Sequence, residues 1–235
     1  MQKKMNNPKH IGIIMDGNRR FAKSLNLNPW KGHEFGEQKL FSLLQWCKEI
    51  GVKEVTVYAF SIQNLNRPKQ EFDYLMNLFI KSTNKMLSDS RLDEESIKVS
   101  VLGNTSFFPL NLQENLKELE EKSKTNNNFF FNLALGYGGR EEILRATKKI
   151  ASLVESNKLK SADIDEELFK KYLYLSSEPD LIIRTGGDHR TSNFLPFQST
   201  YSEWFFIDKK WPEFEREDLV KCIDDFKSRE RRFGK

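Results

Sequence analysis

The stretch HIGIIMDGNRRFA, residues 10–22, passes from an apolar strand through a polar turn into a cationic helix start. Ile11, Ile13, Ile14 and Met15 read as a strand buried on both faces, the pattern of a parallel sheet. Asp16 stands where that strand ends. Gly17 allows a tight turn, and Asn18 is the expected N-cap of the next helix. Free backbone N–H groups at a helix start attract anions, and Arg19 and Arg20 add positive charge. A carboxylate beside an anion cradle is best reconciled by a divalent cation between them, as in a magnesium-bound phosphate or diphosphate. The same residues also suit an ordinary strand–helix turn with a capping Asp and solvated arginines. This stretch alone leaves both readings open.

Outward from it, six apolar, β-rich runs recur, at about His10–Met15, Glu54–Phe60, Ile97–Leu102, Phe129–Leu135, Asp180–Arg184 and Glu203–Ile207. Helical patterns lie between and after them, at about Arg19–Leu25, Glu34–Ile50, Lys69–Ser90, Asn111–Lys124, Arg140–Glu155, Glu166–Tyr172 and Glu215–Arg232. This alternation predicts an α/β fold with a mostly parallel six-stranded sheet and helices on both faces. No repeat or linker breaks the pattern, so residues 1–235 are expected to form one domain. Ligands of such sheets bind beyond the carboxyl ends of the strands. The residues that follow each strand therefore carry the functional reading.

Composition narrows the function classes. The 38 basic and 34 acidic residues give a net charge of +4 and are mixed along the chain. That is no footprint of a nucleic-acid binder, but it suits an anionic small substrate or weak contact with an anionic membrane. Cys47 and Cys222 lie far apart in helical patterns and read as reduced core residues. MQKKMNNPK has no apolar signal region, and no run approaches the ~20 apolar residues of a membrane span. The expectation is a soluble cytoplasmic protein.

After the second strand, Ser61, Asn64, Asn66 and Arg67 precede Pro68, which is expected to open the next helix. This can be turn chemistry alone. The turn GNTSFFP reads as structural. Gly136, Gly138 and Gly139 end the fourth strand and suit either close packing or phosphate approach. The fifth strand ends in RTGGDHRTSN, residues 184–193. There Arg184, Arg190 and Ser192 make a good diphosphate clamp, because planar guanidinium groups bind phosphate oxygens bidentately. Arg184 continues a buried strand, where an unpaired charge is costly. Glu203 is either a strand-end charge or a metal ligand. Leu75, Met76, Leu78, Phe79, Ile80, Met86 and Leu87 give the third helical pattern a broad apolar face, which suits a core or an alkyl-chain cleft.

These elements in this order resemble the cis-prenyltransferase family, the undecaprenyl diphosphate synthases. The resemblance runs almost end to end. It covers HIxIIMDGNxR, Gly32-His33, YAFSxxNxxRP at 58–68, NxxxxYGGR at 132–140 and DLxIRTGGxxRxSNFL at 180–195. It continues through Tyr201, Glu203, Trp211-Pro212 and RERRFG at 229–234. The DDxxD pattern of the all-helical trans-prenyltransferases is absent.

The resemblance implies repeated condensation of isopentenyl diphosphate onto farnesyl diphosphate with cis double bonds, magnesium as cofactor, and a homodimer. Asp16 is implied as the metal-holding catalytic aspartate and Glu203 as the second metal carboxylate, with His189 nearby. Gly17, Asn18, Arg19, Arg20 and His33 would cradle the allylic diphosphate. Arg184, Arg190, Thr191 and Ser192 would hold isopentenyl diphosphate. Asn64 would assist proton removal by orientation or relay, an amide being a poor base. Ser61, Gln63, Leu65 and Arg67 belong to the same substrate-contacting loop. The expected product is undecaprenyl diphosphate, a lipid-carrier precursor for cell-wall glycans, made in a hydrophobic tunnel. Such a product also implies loose membrane contact near the tunnel mouth.

Several positions depart from the family pattern. Phe21 replaces a usual Trp, keeping an aromatic role but no indole N–H. Pro29 replaces an Arg, a lost contact that Lys31 could supply. Gln63 replaces Glu, Leu65 replaces Trp, and Asp188 replaces Glu. The rival readings are a non-catalytic partner subunit and a nucleotide hydrolase. Intact Asp16, Asn64 and RTGGDHRTS argue against the first, and the lack of GxxxxGK[ST] against the second.

Overall fold

The computed structural model describes residues 6–229. The strands are β1 (His10–Ile14), β2 (Glu54–Ser61), β3 (Ile97–Leu102), β4 (Phe129–Tyr137), β5 (Leu181–Arg184) and β6 (Glu203–Phe206). They form one sheet in the order β3-β4-β2-β1-β5-β6, and every pairing is parallel. The sheet is thus wholly rather than mostly parallel. β1 and β5 are buried at every residue, as strands covered on both faces must be.

The helices are α1 (Asn18–Ser24), α2 (Gly32–Ile50), α3 (Lys69–Ser88), α4 (Arg91–Glu94), α5 (Leu110–Ser123), α6 (Gly139–Glu155), α7 (Glu166–Lys170) and α8 (Arg216–Ser228). One face of the sheet packs Ile11, Ile13, Val55 and Val57 against Leu43 and Cys47 of α2, Leu75 and Met76 of α3, Leu112 and Leu116 of α5, and Ile223 and Phe226 of α8. The other face gathers Ile14, Ile182, Tyr137, Phe194 and Leu195. The connection from β5 to β6, residues 185–202, contains no helix. Its own Phe194 and Leu195, both fully buried, cover that face instead.

Local details differ from the sequence reading. Asn18 does not cap α1. Gly17 is the cap residue, at φ +102°, so Asn18 is already helical and its amide Nδ2 donates back to the Met15 carbonyl at 2.9 Å. Pro68 caps α3 rather than opening it. Among the three glycines at the end of β4 and just beyond it, Gly136 and Gly139 are closely packed. A Cβ on Gly136 would lie 2.3 Å from the Asn104 carbonyl oxygen, and one on Gly139 1.9 Å from Pro196 Cδ. The short α4 was not anticipated. The RERRFG motif beyond Arg229, and the end of the last helical pattern, lie outside the described residues.

Candidate active site

Ile14 pairs with both Tyr58 and Arg184, so the carboxyl ends of β1, β2 and β5 lie side by side. Asp16 sits at this edge. Its Oδ2 accepts from Arg184 Nη2 at 2.8 Å, and its Oδ1 from the Gly17 N–H at 2.6 Å and from Arg20 Nη2 at 3.3 Å. Thr185 accepts from the Asp16 N–H at 3.1 Å and donates to its carbonyl at 2.8 Å, fixing the backbone. Burial pushes the Asp16 carboxyl up, but the hydrogen bond and charge of Arg184, then the charge of Arg20, outweigh it and hold it below the usual carboxylate range.

Arg184 joins the two expected binding elements. From a nearly buried position it also donates through Nη1 to the Arg190 carbonyl at 2.5 Å and to Ser192 Oγ at 2.6 Å. Asp188 takes both terminal nitrogens of Arg190 at 3.0 and 2.8 Å and Arg20 at 3.5 Å. Asp16, Arg20, Arg184, Asp188, Arg190 and Ser192 thus form one connected network. Asp188, where the family pattern has Glu, is thus engaged with Arg190 in a bidentate bond.

A second cationic group flanks it. Glu71, buried in α3, binds Arg67 at 2.6 Å and Arg19 at 3.5 Å. Ser61 and Asn64 cap the short 3-10 turn Ile62–Asn66 reciprocally, the Ser61 N–H donating to Asn64 Oδ1 at 3.0 Å and the Asn64 N–H to Ser61 Oγ at 3.2 Å. This bond occupies the Asn64 carbonyl oxygen locally and leaves its NH₂ to bond elsewhere. Burial, then Arg67 and Arg19, pull the His33 imidazole down to about 3. Asn18 Oδ1, His33 Nε2 and Arg184 Nε are buried without a protein partner. Buried polar atoms of this kind are met by a ligand, an ion or water.

Behind this edge a cavity of about 820 Å³ opens between the sheet, α2 and α3. That is near the upper end of the usual range for small-molecule sites, about 300–1,000 Å³. Polar residues occupy one part of its lining: Asp16, Asn18, His33, Asn64, Arg67 and Ser192. Leu40, Phe41, Leu44, Leu78, Phe79 and Met86 supply an apolar part, with Phe131, Leu133 and Leu135 from β4. The apolar stripe of α3 therefore serves both as core and as cavity wall.

Of the expected site residues, Ser61, Gln63 and Thr191 also line this cavity. Leu65 packs against the core instead, and Phe21 meets Phe35 edge-to-face at 5.3 Å on α1. Pro29 opens a 3-10 turn capped by Asn28, with Lys31 exposed beside it.

Glu203 is not brought to Asp16. It begins β6, opposite Leu181, whereas the Asp16 edge lies three residues further on, where Arg184 meets Phe206. Its Oε2 instead accepts from Arg229 Nη1 at 2.5 Å. His189 stacks on Phe206, ring centroids 5.0 Å apart.

Sequence reasoning missed Tyr58, Arg140 and Asn193, which also line the cavity. Asn193 follows Ser192 directly, and Arg140 ends the YGGR turn, so both were adjacent to residues already singled out.

The Prenyltransf family model, described as putative undecaprenyl diphosphate synthase, matches residues 14–234. The chain belongs to this cis-prenyltransferase family. It is 47% identical over 230 residues to the tritrans,polycis-undecaprenyl-diphosphate synthase (geranylgeranyl-diphosphate specific) of Pyrococcus furiosus, covering 97% of this chain and 87% of that one. Among solved structures it resembles the lavandulyl diphosphate synthase of Lavandula x intermedia in complex with dimethylallyl diphosphate. The TM-score is 0.93 at 35% identity, covering 97% of this chain and 99% of that one. A probable undecaprenyl diphosphate synthase of Campylobacter jejuni superposes with a TM-score of 0.81 at 31% identity, covering 98% and 100%. The chain is accordingly a transferase of the cis-prenyltransferase type. These relatives are named for different products, so membership of the family gives the prenyltransferase class and does not fix chain length.

Proposed function

We propose that this enzyme condenses isopentenyl diphosphate repeatedly onto an allylic diphosphate, giving a long cis-polyprenyl diphosphate of the undecaprenyl class that serves as a glycan lipid-carrier precursor. The observation that carries it is the arginine–carboxylate network of Asp16, Arg184 and Arg190 opening onto a largely apolar cavity of about 820 Å³. A diphosphate head and a hydrocarbon tail require these two environments side by side.

In each condensation the allylic C–O bond breaks, the isopentenyl double bond forms the new C–C bond, and a proton leaves the adjacent carbon. Negative charge develops on the departing diphosphate. Arg19, Arg20 and the Gly17 turn would orient it and neutralise that charge before the bond breaks. Arg184, Arg190, Thr191 and Ser192 would hold the second diphosphate. Asn64, whose oxygen is engaged by Ser61, would orient by its NH₂ and leave the proton to a diphosphate oxygen. The partly exposed carboxylate of Asp16 fits the way magnesium is bound by one or two carboxylates plus phosphates. When bound, that ion would supply further charge neutralisation at the leaving group. Among the described residues no three His, Cys, Asp or Glu side chains cluster as a protein-only metal cage, which suits a metal carried largely by substrate.

Farnesyl diphosphate is the primer expected from the family resemblance, whereas the Pyrococcus relative is named for geranylgeranyl diphosphate. A homodimer with reversible membrane contact, acting in the cytoplasm, completes the reading. No described helix is long and apolar enough to cross a membrane. Radiolabelled isopentenyl diphosphate with magnesium and either primer, resolved by chain length, tests it. Metal-dependent long products support the reading. No incorporation by folded protein refutes it.

A further inference from the structure

Two polar side chains face each other across an otherwise apolar part of the cavity. Glu37 lies one helical turn beyond His33 on α2, and Leu40, Phe41 and Leu44 follow it along the same lining. Its carboxylate accepts from Ser82 Oγ of α3, between Leu78, Phe79 and Met86; the same hydroxyl also lies within donating distance of the Leu78 carbonyl at 3.0 Å. Asp16 and Glu37 are the two carboxylates of this lining, and they differ in partners. Asp16 is held by Arg184 and Arg20. Glu37 makes no ion pair among the described residues, and the nearby Lys85 is placed over the Phe41 ring, 4.9 Å from its centroid. Thr83, the other hydroxyl here, donates to the Phe79 and Ile80 carbonyls of its own helix and accepts from Asn115. Its polarity is spent within the wall.

A carboxylate has about four acceptor positions, and one hydroxyl satisfies one of them. In solution the others would be met by water, which a hydrocarbon tail passing Glu37 would have to strip at a cost. The geometry points to Glu37 and Ser82 as a polar waist that determines how far a prenyl tail enters the cavity, and hence primer preference and product length. The inference rests on the prenyltransferase reading.

The test compares wild type with Glu37→Leu and Ser82→Ala by product sizing and by the ratio of kcat/KM for geranylgeranyl over farnesyl diphosphate. Calorimetric binding of the unreactive farnesyl and geranylgeranyl thiodiphosphates accompanies it. Glu37→Leu removes the water-bearing group. Products should lengthen, the geranylgeranyl ratio should rise several-fold, and the longer thiodiphosphate should gain affinity over the shorter. Ser82→Ala leaves the carboxylate with no hydroxyl partner and more water, so all three should move the opposite way. A pair that only clasps α2 to α3 would move both variants in one direction, with lower melting midpoints. That result, or unchanged lengths and ratios in both, overturns the waist. Failure of the prenyltransferase reading looks different: folded wild type would incorporate no isopentenyl unit and bind neither thiodiphosphate.

Discussion

Arg184 Nη2 lies 2.8 Å from Asp16 Oδ2, with the arginine side chain 3% exposed and the carboxylate 30% exposed. The buried partner is therefore the cation, and the carboxylate is the half that faces ligand. Asp16→Ala removes the group proposed to stabilise the leaving diphosphate and strands a buried charge. Ser192 and the Arg190 carbonyl still serve Arg184, so the stability cost should fall below the ~3–5 kcal/mol of a fully broken buried pair. About 1–3 kcal/mol is expected in denaturant unfolding, with incorporation reduced on the order of 10²–10³-fold. An Asp16→Ala protein of near wild-type activity would refute the assignment.

Arg184→Lys tests the fork itself. The guanidinium spans Asp16 through one nitrogen and Arg190 and Ser192 through the other. An ammonium is a point charge and cannot hold both sides. The KM for isopentenyl diphosphate should rise about tenfold or more, the equivalent of ~1.4 kcal/mol. The KM for the allylic substrate should change less. Equal changes in both would show that Arg184 does not belong to one subsite.

The meeting of Asp16 with Arg184 was legible in the sequence, because both end apolar runs and parallel strands bring such ends to one edge. The metal role of Glu203 rests on the family resemblance, not on its placement in this chain. The sequence already placed it at the start of a strand, and in a wholly parallel sheet a strand start lies at the edge away from Asp16. The capping role given to Asn18 failed because it depended on the backbone angle of Gly17. The carboxylate of Glu142 was illegible for another reason. It is fully buried and bonded to Tyr137, the Tyr174 N–H and Gln198. Two of those partners lie 32 and 56 residues away in sequence.

Asn193 should act as a positioning residue for the proposed isopentenyl site. Its carbonyl accepts from the Gly139 N–H and its Oδ1 from the Arg140 N–H, both at 2.9 Å, anchoring the loop to the start of α6. Ser192 and Asn193 both hold left-handed backbone, at φ 50° and 62°, which Asn tolerates better than most residues. Asn193→Ala should cost about 1–2 kcal/mol of stability from the lost cap and raise KM for isopentenyl diphosphate with less change in kcat. Asn193→Gly keeps the backbone freedom and loses the cap. If it matches wild type in KM, the side-chain bond to α6 has no positioning role.

Gly17→Ala places a methyl group where there is no room. Its Cβ would lie 2.8 Å from Lys210 Cα, on a residue at φ +102°. Backbone strain of this kind costs on the order of 1–3 kcal/mol, and the turn that presents Asp16 must shift to relieve it. Both the melting midpoint and incorporation should fall, and the midpoint alone falling would separate the turn from catalysis.

His33 gives the stability of the ligand-free protein a pH dependence with a defined sign. Burial, with Arg67 and Arg19 nearby, holds its folded pKa down at about 3, against an ordinary imidazole value of 6.5. The folded protein keeps the imidazole neutral, whereas the unfolded chain protonates it below about pH 6.5. The stabilisation is complete above the unfolded value and is lost as pH falls through the interval down to about 3. Between pH 7 and pH 5 the loss should reach about 1–2 kcal/mol. His10, whose folded pKa burial also lowers against the opposing pull of Glu54 and Asp180, acts in the same direction. Denaturant unfolding of wild type and His33→Gln over that range separates the two. The variant should lose less stability on acidification, because glutamine has no proton to take up. Identical slopes in the two proteins would mean that His33 already titrates freely in the folded state, and that the arginines around the proposed allylic site do not reach it.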